Sequence, residues 1–421
     1  MKRRSFLQYL AADAALPLTQ RFAAAAGSYQ VGVGVSGDPY GATQRAITAS
    51  GQWPAASIAG QSVMIKPNLV SPKPSTSGAT TDPQVVRAVV DMALQAGAAQ
   101  VLIVEGGVGV GANFSPCGYD FFSTYHPRVQ LMDFATQAIS AVHVPSGLTY
   151  FALYLPTPAL QSNLVFISVG KMKTHVNAVV SLSMKNIFGM MPPSHYFVPK
   201  QLARMDGHIR GIDQSVVDIN LARPISFSII DGIWGMEGNG PLTGTPIKTD
   251  VVLAGLNPVV VDRVALDFMH IPQTAVPHLA YACWRGLGPP DTRAVTVLGD
   301  SSTPVPFVRA NVPPIVWQPS ALPNPISLSA GQHTAIRYTS AVACNINVDI
   351  IHDSDLSPGV TSLRTLQSYS STPAGVNTVQ WDGLDDNGVK VAPGVYLARI
   401  MATLGLGQGI SYATGWIFVN P

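Results

Sequence analysis

The chain has 421 residues, of which 47% are hydrophobic and only 11% are charged, and its formal net charge is +2. This length supports two or three domains with buried cores. The composition argues against a coiled coil, an acidic disordered protein and a generally basic nucleic-acid binder. No stretch approaches the roughly 18 uninterrupted apolar residues of a membrane helix, so we expect a soluble protein without a transmembrane segment.

Residues 1–27 have the pattern of an export signal. The pair Arg3-Arg4 precedes Ser5-Phe6-Leu7, and a weakly apolar, alanine-rich stretch then ends in small residues at 23–27. This order resembles a twin-arginine signal with its cleavage site. We therefore expect a periplasmic or secreted protein. The alternative is the basic N-terminus of a cytoplasmic protein.

Residues 28–314 alternate between predicted strands and helices. Residues 62–65 and 101–104 are apolar and predict strands, and between them a helix starts at Asp82-Pro83 and stops at Gly97. This βαβ unit predicts a parallel sheet. Further strands are predicted at 164–169, 226–230, 250–254 and 294–298. The predicted fold class is α/β, a three-layer domain around a mainly parallel sheet.

Polar residues follow five of these strands directly. They are Lys66 with Asn68, Glu105, Lys171 with Lys173, Asp231, and Asn257. The carboxyl ends of parallel strands form the ligand crevice of open α/β sheets. The sequence therefore predicts one site at that edge of the sheet.

Lysines at this edge predict a pocket for a small anion. Lys66, Lys171, Lys173 and Lys185 lie in low-charge surroundings, where burial would disfavour their charged form without an anionic partner. A phosphate or carboxylate ligand supplies that partner. The alternative is a buried network of ion pairs with Glu105, Asp231, Glu237 and Asp262. The residues predicted to bind the substrate are Lys66, Asn68, Lys171, Lys173, Thr174, Lys185, Asn186 and Asn257.

Histidines and carboxylates supply the candidate catalytic groups, which are His175, His208, Glu105, Asp231 and Glu237. Such groups transfer protons or ligate a divalent metal, and the sequence leaves the choice between these roles open. Cys117, Cys283 and Cys344 are too far apart in sequence for an iron–sulfur cluster, so none is expected. A Cys117–Cys283 disulfide and ordinary buried thiols are the two alternatives for these cysteines.

Composition changes again after the central domain. Residues 315–324 are predicted as a linker, and residues 325–421 as a small all-β domain of short alternating strands. Asn387-Gly388 and Pro393-Gly394 predict hairpin turns. Asp382, Asp385 and Asp386 fit either a calcium site or, as we favour, solvated turn carboxylates.

Several ordered motifs carry a family resemblance. They include Ile65-Lys66-Pro67-Asn68, Lys171-Met172-Lys173-Thr174-His175, Ser183-Met184-Lys185-Asn186 and Met236-Glu237-Gly238. Residues of about 30–300 resemble the domain of unknown function 362 family. The resemblance implies a fold and no established reaction. Some of its relatives carry ferredoxin-type cysteine clusters, which this chain lacks.

The end of the chain carries a second resemblance. The run Trp381-Asp382-Gly383, Asp386-Asn387-Gly388 and Pro393-Gly394-Val395-Tyr396 is similar to the immunoglobulin-like domain of the flagellar hook-capping protein FlgD. This resemblance implies an immunoglobulin-like sandwich that serves as a structural or adhesion module. Its expected partner is a cell surface or another protein.

Two functions follow from these expectations. The first is an exported enzyme that acts on a small anionic substrate, a carboxylate or a phosphate, with or without a metal. The alternative is a non-catalytic exported binding or surface-attached protein that uses the same pocket.

Overall fold

The computed structural model describes residues 29–106, 113–198, 204–290, 295–352, 362–405 and 409–420, so the predicted export signal at 1–27 lies outside the described residues. The helices are α1 (Pro39–Ser50), α2 (Ala55–Ile58), α3 (Pro83–Gln95), α4 (Phe122–Tyr125), α5 (Ser183–Asn186), α6 (Pro193–Tyr196), α7 (Asp206–Ala222), α8 (Pro258–Phe268) and α9 (Pro277–Trp284). Within this described part, no helix is long and apolar enough to cross a membrane.

The strands divide between two domains. The first domain contains β1 (Tyr29–Val35), β2 (Ser62–Lys66), β3 (Gln100–Glu105), β4 (Val129–Asp133), β5 (Ile139–His143), β6 (Ala152–Pro156), β7 (Leu164–His175), β8 (Val179–Ser181), β9 (Phe197–Val198), β10 (Arg204–Met205), β11 (Phe227–Glu237), β12 (Thr245–Gly255) and β13 (Val295–Gly299). The second contains β14 (Val316–Leu322), β15 (Ile326–Ser327), β16 (Thr334–Ser340), β17 (Cys344–His352), β18 (Ser362–Thr372), β19 (Gly375–Trp381), β20 (Gly394–Thr403) and β21 (Ser411–Asn420).

The first domain is built on one mixed sheet in the order β13-β1-β12-β11-β7-β2-β3-β4, with β8 paired to β7. Strands β11, β7, β2, β3 and β4 are parallel to their neighbours in this series. Strand β12 is antiparallel to both β11 and β1. The sheet is therefore mixed, because the chain turns back directly from β11 into β12 instead of crossing over through a helix.

Helices cover both faces of this sheet. Alternate residues of β2 enter different cores: Val63 and Ile65 pack with α1 and α3, whereas Met64 packs in the core that includes α7 and α8. All three side chains are fully buried. A strand covered on both faces must be apolar at successive positions, which explains its uninterrupted apolar sequence.

Two helices of this domain begin where local capping residues predict. The Asp82 carboxylate accepts the Gln84 N–H at the start of α3, and Asn257 caps α8 in the same way. Strands β7 and β11 continue well past their predicted ends, to His175 and Glu237. They continue because Lys171 and Asp231 pair across the two strands, and the residues beyond them are hydrogen-bonded to β8 and β12.

The second domain consists of two β-sheets that share a core. Their strand orders are β14-β16-β19 and β15-β21-β20-β17-β18. Ile336, Trp381 and Ile400 come from both sheets and are fully buried in one cluster. Most of the predicted linker at 315–324 is strand β14, which is hydrogen-bonded to β16.

The structure bears on three further predictions: a hairpin turn, a disulfide bond and the role of a turn carboxylate. The predicted hairpin at Pro393-Gly394 is wrong, because β19 and β20 lie in different sheets. Cys117, Cys283 and Cys344 are free thiols, so the Cys117–Cys283 bridge is absent. The Asp385 carboxylate accepts the Asn387 and Val389 N–H groups, as a turn carboxylate does.

A buried glutamine joins the two domains. Gln214 in α7 donates its amide N–H to the Thr414 carbonyl at 2.5 Å and accepts the Thr414 N–H at 2.8 Å. Its side chain therefore makes the two backbone hydrogen bonds that a neighbouring strand would make. Gln214 is 1% exposed and Thr414 is 0% exposed. Helix α7 is broken at Gly211, with φ at 124°, and a Cβ there would approach the Gln214 Oε1 atom to 2.5 Å. A residue without a side chain is therefore required beside the joint.

We expect Gln214→Ala to lower the free energy of unfolding by about 2–4 kcal/mol, because it leaves the buried Thr414 N–H and carbonyl without partners. Gln332→Ala is the matched control, since exposed Gln332 accepts one backbone N–H, that of Ser327, and should change stability by less than about 1 kcal/mol. Urea unfolding measures both variants. Equal losses would contradict the assigned role of Gln214.

Candidate functional site

Lys66 and Glu105 form a buried ion pair where β2 and β3 end. The Lys66 Nζ atom lies 2.8 Å from Glu105 Oε1, and the two side chains are 1% and 5% exposed. Glu105 also accepts the Leu69 N–H at 2.8 Å and the Gly106 N–H at 3.0 Å. The carboxylate therefore ties together the chain segments that leave the two strands.

A second buried ion pair joins β7 to β11. The Lys171 Nζ atom lies 2.7 Å from Asp231 Oδ2, and both side chains are fully buried. Asp231 further accepts the Asp82 N–H at 2.8 Å and the Ile233 N–H at 3.0 Å. These two pairs agree with the ion-pair alternative for Lys66 and Lys171.

Lys173 is fully buried without a carboxylate partner among the residues that the structure describes. Its Nζ atom donates to Asn68 Oδ1 at 2.9 Å and to the Ala79 carbonyl at 2.5 Å. Asn68 in turn donates to Asn186 Oδ1 at 3.1 Å. Burial, followed by the charge of Lys185, lowers the pKa of Lys173 well below its usual value.

Lys185 lies at the least enclosed point of this cluster. It belongs to α5 and is 8% exposed, and its Nζ atom lies 4.8 Å from the centre of the Phe188 ring. Within the described ranges, no carboxylate lies within 4.0 Å of that ammonium group. Burial lowers its pKa to about 8, the Asp213 carboxylate partly opposes this shift, and nearby Lys66 adds to it.

The four lysines therefore gather at one place. Lys185, Lys171 and Lys66 each lower the pKa of Lys173, which requires that all lie within electrostatic range of it. Lys66 and Lys171 have carboxylate partners. Lys173 donates to neutral oxygen atoms, and Lys185 lies over an aromatic ring. Excess positive charge in a water-poor region is unfavourable unless it has a counter-charge.

His175 has a fixed hydrogen-bonding role. Its Nδ1 atom accepts the Asn177 and Ala178 N–H groups at 3.0 and 3.2 Å. Accepting two N–H groups keeps Nδ1 unprotonated, and burial lowers the pKa of this histidine well below its usual value. His175 is consequently a neutral imidazole whose Nε2 carries the proton.

His208 lies apart from the two ion pairs, in α7. Its ring packs edge-on against Phe188, with 4.9 Å between the ring centres. Phe188 also contacts Lys185, so this aromatic ring connects His208 to the lysine cluster. The Thr174 hydroxyl, which was predicted to bind the substrate, donates to the Gly238 carbonyl at 2.7 Å.

Two predicted residues lie outside the cluster. Asn257 follows β12, and because β12 runs antiparallel to β11, Asn257 is at the opposite edge of the sheet. The prediction that it shares an edge with the lysines is therefore wrong. Its side chain caps α8. Glu237 is the last residue of β11 and accepts the Val308 N–H at 2.8 Å.

Asp262 is a residue of this region whose role the sequence did not indicate. Helix α5 starts after Leu182, which has no side-chain cap. Instead, the Asp262 carboxylate accepts the Ser183 and Met184 N–H groups at 2.8 and 3.0 Å. An apolar residue at a helix start that lacks a local acceptor is the signal that a distant one exists. Asp262 thereby fixes the segment that carries Lys185 and Asn186.

No group of three or more His, Cys, Asp or Glu side chains suited to a metal ion occurs within the described part of the chain. The acidic side chains of the cluster bind lysines and backbone N–H groups instead.

Comparison with known sequences matches the part of the chain that contains the cluster. Residues 63–267 match the model of the family described as Domain of unknown function (DUF362). The matched segment begins in β2 and ends in α8, so it contains both ion pairs, Lys173, Lys185 and Asp262. The thylakoid-associated protein sll1697 of Synechocystis sp. is 26% identical over 231 residues, which cover 55% of this chain and 70% of that protein.

Solved structures overlap with smaller parts of the chain. FlgD from P. aeruginosa is 14% identical, with a TM-score of 0.19 over 25% of this chain and 70% of FlgD. Dimeric latent PorU from Porphyromonas gingivalis is 20% identical, with a TM-score of 0.20 over 27% of this chain and 10% of PorU. Overlaps of this size do not establish a shared fold.

We expect Lys66→Met to lower the free energy of unfolding by about 3–5 kcal/mol, because the buried Glu105 carboxylate loses its counter-charge. The double variant Lys66→Met/Glu105→Gln should recover about half of that loss or more. Arg45→Met removes the exposed pair with Asp300 and should cost less than about 1 kcal/mol. Equal losses in the single and double variants would show that the pair is not coupled.

Proposed function

We propose that the lysine cluster binds a small anionic ligand, a carboxylate or a phosphate, and that Lys185 makes the direct contact. The observation that carries the proposal is the ammonium group of Lys185, which is nearly buried and has no carboxylate within 4.0 Å among the described residues. An anion would supply a counter-charge in direct contact, whereas the Asp213 carboxylate acts on Lys185 only at longer range. Ammonium–anion hydrogen bonds are short and strong in such surroundings.

The remaining residues of the cluster support this contact. The Lys66–Glu105 and Lys171–Asp231 pairs hold the strand ends in place and contribute no net charge. Lys173 adds positive potential from the interior, and Asn68 and Asn186 fix its surroundings. Asp262 fixes α5, so the Lys185 side chain approaches the ligand from a rigid segment.

We favour an enzyme, because Lys185 is suited to proton transfer. A pKa of about 8 allows this amine to gain and lose a proton near neutral pH. A general acid or base works best when its pKa lies close to the working pH. The reaction proposed is therefore proton transfer on a small anionic substrate that Lys185 also recognises.

The second candidate function is non-catalytic binding. One observation favours it: the predicted catalytic groups Glu105, Asp231 and His175 each accept two or more hydrogen bonds from the protein itself. Groups held in this way organise a pocket without reacting. The binder would use the same lysines for retention of its ligand.

Titration calorimetry with inorganic phosphate and with malonate tests the binding step. We expect the full chain to bind at least one of them, and Lys185→Gln to weaken that binding by about tenfold or more. Lys390→Gln is the control, because Lys390 lies in the second domain and donates to the Leu328 carbonyl. Absence of binding, or equal affinity in the wild type and Lys185→Gln, would overturn the proposal.

The pH dependence of malonate binding gives an independent check. Malonate stays doubly ionised above about pH 7, so the titrating group is on the protein. Because only the protonated amine attracts the anion, affinity should fall as the pH rises through about 8 and should lose this dependence in Lys185→Gln. Conversion of compounds from a panel of small carboxylates and phosphate esters, followed by mass spectrometry, separates the enzyme from the binder.

We also propose that the chain is exported through the twin-arginine pathway, on the basis of Arg3-Arg4 and the alanine-rich stretch that follows. In a Gram-negative host with this pathway, the wild-type chain should reach the periplasm or the medium. Arg3→Lys combined with Arg4→Lys should hold it in the cytoplasm, whereas the control Lys2→Gln should be exported. Fractionation and immunoblotting measure this, and unchanged export of the double-lysine variant would refute it.

A further inference from the structure

A small cavity lies between the two domains. Its volume is about 30 Å³, and its lining includes Ile212 and Asp213 of α7, Pro277 of α9, and Ser411 and Tyr412 of β21. Asp213 is the only carboxylate among the lining residues, and no lysine or arginine lines the cavity. A water molecule needs roughly 10–15 Å³ of such space, so the cavity suits a group that is about as large as one or two waters.

Asp213 presents an unused acceptor at this cavity. Its Oδ1 atom accepts the Nδ1–H of His278 at 2.7 Å and the His278 backbone N–H at 3.3 Å. The His278 side chain is 1% exposed, so this pair fixes the carboxylate on its buried side. The Oδ2 atom accepts no hydrogen bond from the residues that the structure describes, yet it is not shielded from solvent, and the Asp213 side chain is 20% exposed. A donor in the cavity can therefore reach Oδ2.

The cavity borders the lysine cluster. The Phe188 ring contacts the Lys185 ammonium group at 4.8 Å and the His208 ring at 4.9 Å, and His208 lines the cavity. The Asp213 carboxylate also raises the pKa of Lys185 against the larger effect of burial, although no ion pair within 4.0 Å joins the two side chains. The two opposite charges thus lie near each other without direct contact.

We infer that the ligand of the lysine cluster is a small zwitterion, whose anionic end contacts Lys185 and whose ammonium group enters the cavity and donates to Asp213. This inference rests on the proposed function, because Lys185 must bind the anionic end. Charge complementarity carries it. An ammonium group has donors and no acceptor, and it gives the free Asp213 oxygen a partner of opposite charge.

Other occupants fit the cavity less well. The Asp213 carboxylate would repel an anionic group at this distance. A ring needs several times the volume of the cavity. A hydroxyl group fits the space but leaves the charge of the carboxylate without compensation. The small volume and the single acidic side chain therefore favour an ammonium group.

Titration calorimetry of the full chain with three matched series of probes tests the inference. Glycine, β-alanine and 4-aminobutyrate place the ammonium group at increasing distances from the carboxylate. Acetate, propionate and butyrate lack the ammonium group, and glycolate, 3-hydroxypropionate and 4-hydroxybutyrate replace it with a hydroxyl. We expect at least one amino acid to bind about tenfold or more tightly than both of its analogues.

Asp213→Asn tests the contact with the ammonium group. The asparagine oxygen can still accept the Nδ1–H of His278, but its amide would then present N–H donors to the cavity. We expect this variant to lose the preference for the amino acid and still to bind malonate at about pH 6.5, where Lys185 is protonated. Asp267→Asn is the matched control, because exposed Asp267 accepts a side-chain N–H from Gln273, and it should keep the preference.

The outcomes separate this inference from the anion site itself. Binding of malonate or phosphate without tighter binding of any amino acid would overturn the zwitterion and leave the anion site intact. Hydroxy acids that bind as tightly as the amino acids, or a preference that survives in Asp213→Asn, would also overturn it. Absence of all binding, or undiminished binding of every probe in Lys185→Gln, would overturn the proposed function as well. If Asp213→Asn does not fold, the probe series with the wild-type chain still decides the question.

Discussion

The removal of lysine charges from water is the constraint on which the first domain depends. Lys66, Lys171 and Lys173 are each at most 1% exposed, so each ammonium group needs partners inside the protein. Lys66 and Lys171 obtain carboxylates from neighbouring strands, and Lys173 obtains an amide oxygen and a carbonyl. These requirements determine where the loops after β2, β3 and β11 must run. Lys185, which is 8% exposed, differs from them because its ammonium group lies over the Phe188 ring.

The α/β character and six of the nine strands of the large sheet could be predicted because they depend on local patterns. The apolar runs at 62–65 and 101–104 and the caps Asp82 and Asn257 are visible within a few residues of sequence. The direction of β12 could not be predicted in this way. It depends on whether the chain between Glu237 and Thr245 turns back or crosses over, and an apolar strand reads the same in both directions. The error for Asn257 follows directly from that ambiguity.

The site shows the same division between local and distant determinants. Lys66, Lys171 and Lys173 stand next to predicted strand ends, so their approach to one edge follows from parallel pairing. Lys185 and Asn186 follow no predicted strand and belong to α5. Their pairing partners, and the Asp262 carboxylate that caps α5 from 79 residues away, depend on the packing of helices against the sheet. Local sequence patterns do not indicate which distant residues come into contact. The ion-pair alternative could be stated from the sequence, but which lysines it applied to required the folded structure.

The glutamine joint between the domains has a consequence for how this chain can be divided. Gln214 occupies both hydrogen-bonding groups of Thr414, and Trp416 stacks on Phe151 with 4.1 Å between ring centres. If the chain were divided near residue 314, each part would therefore expose apolar and unpaired polar groups that are buried in the intact protein, and the parts would not be independent modules. The second domain could be replaced by another of the same fold only if the replacement presented a free backbone N–H and carbonyl to Gln214.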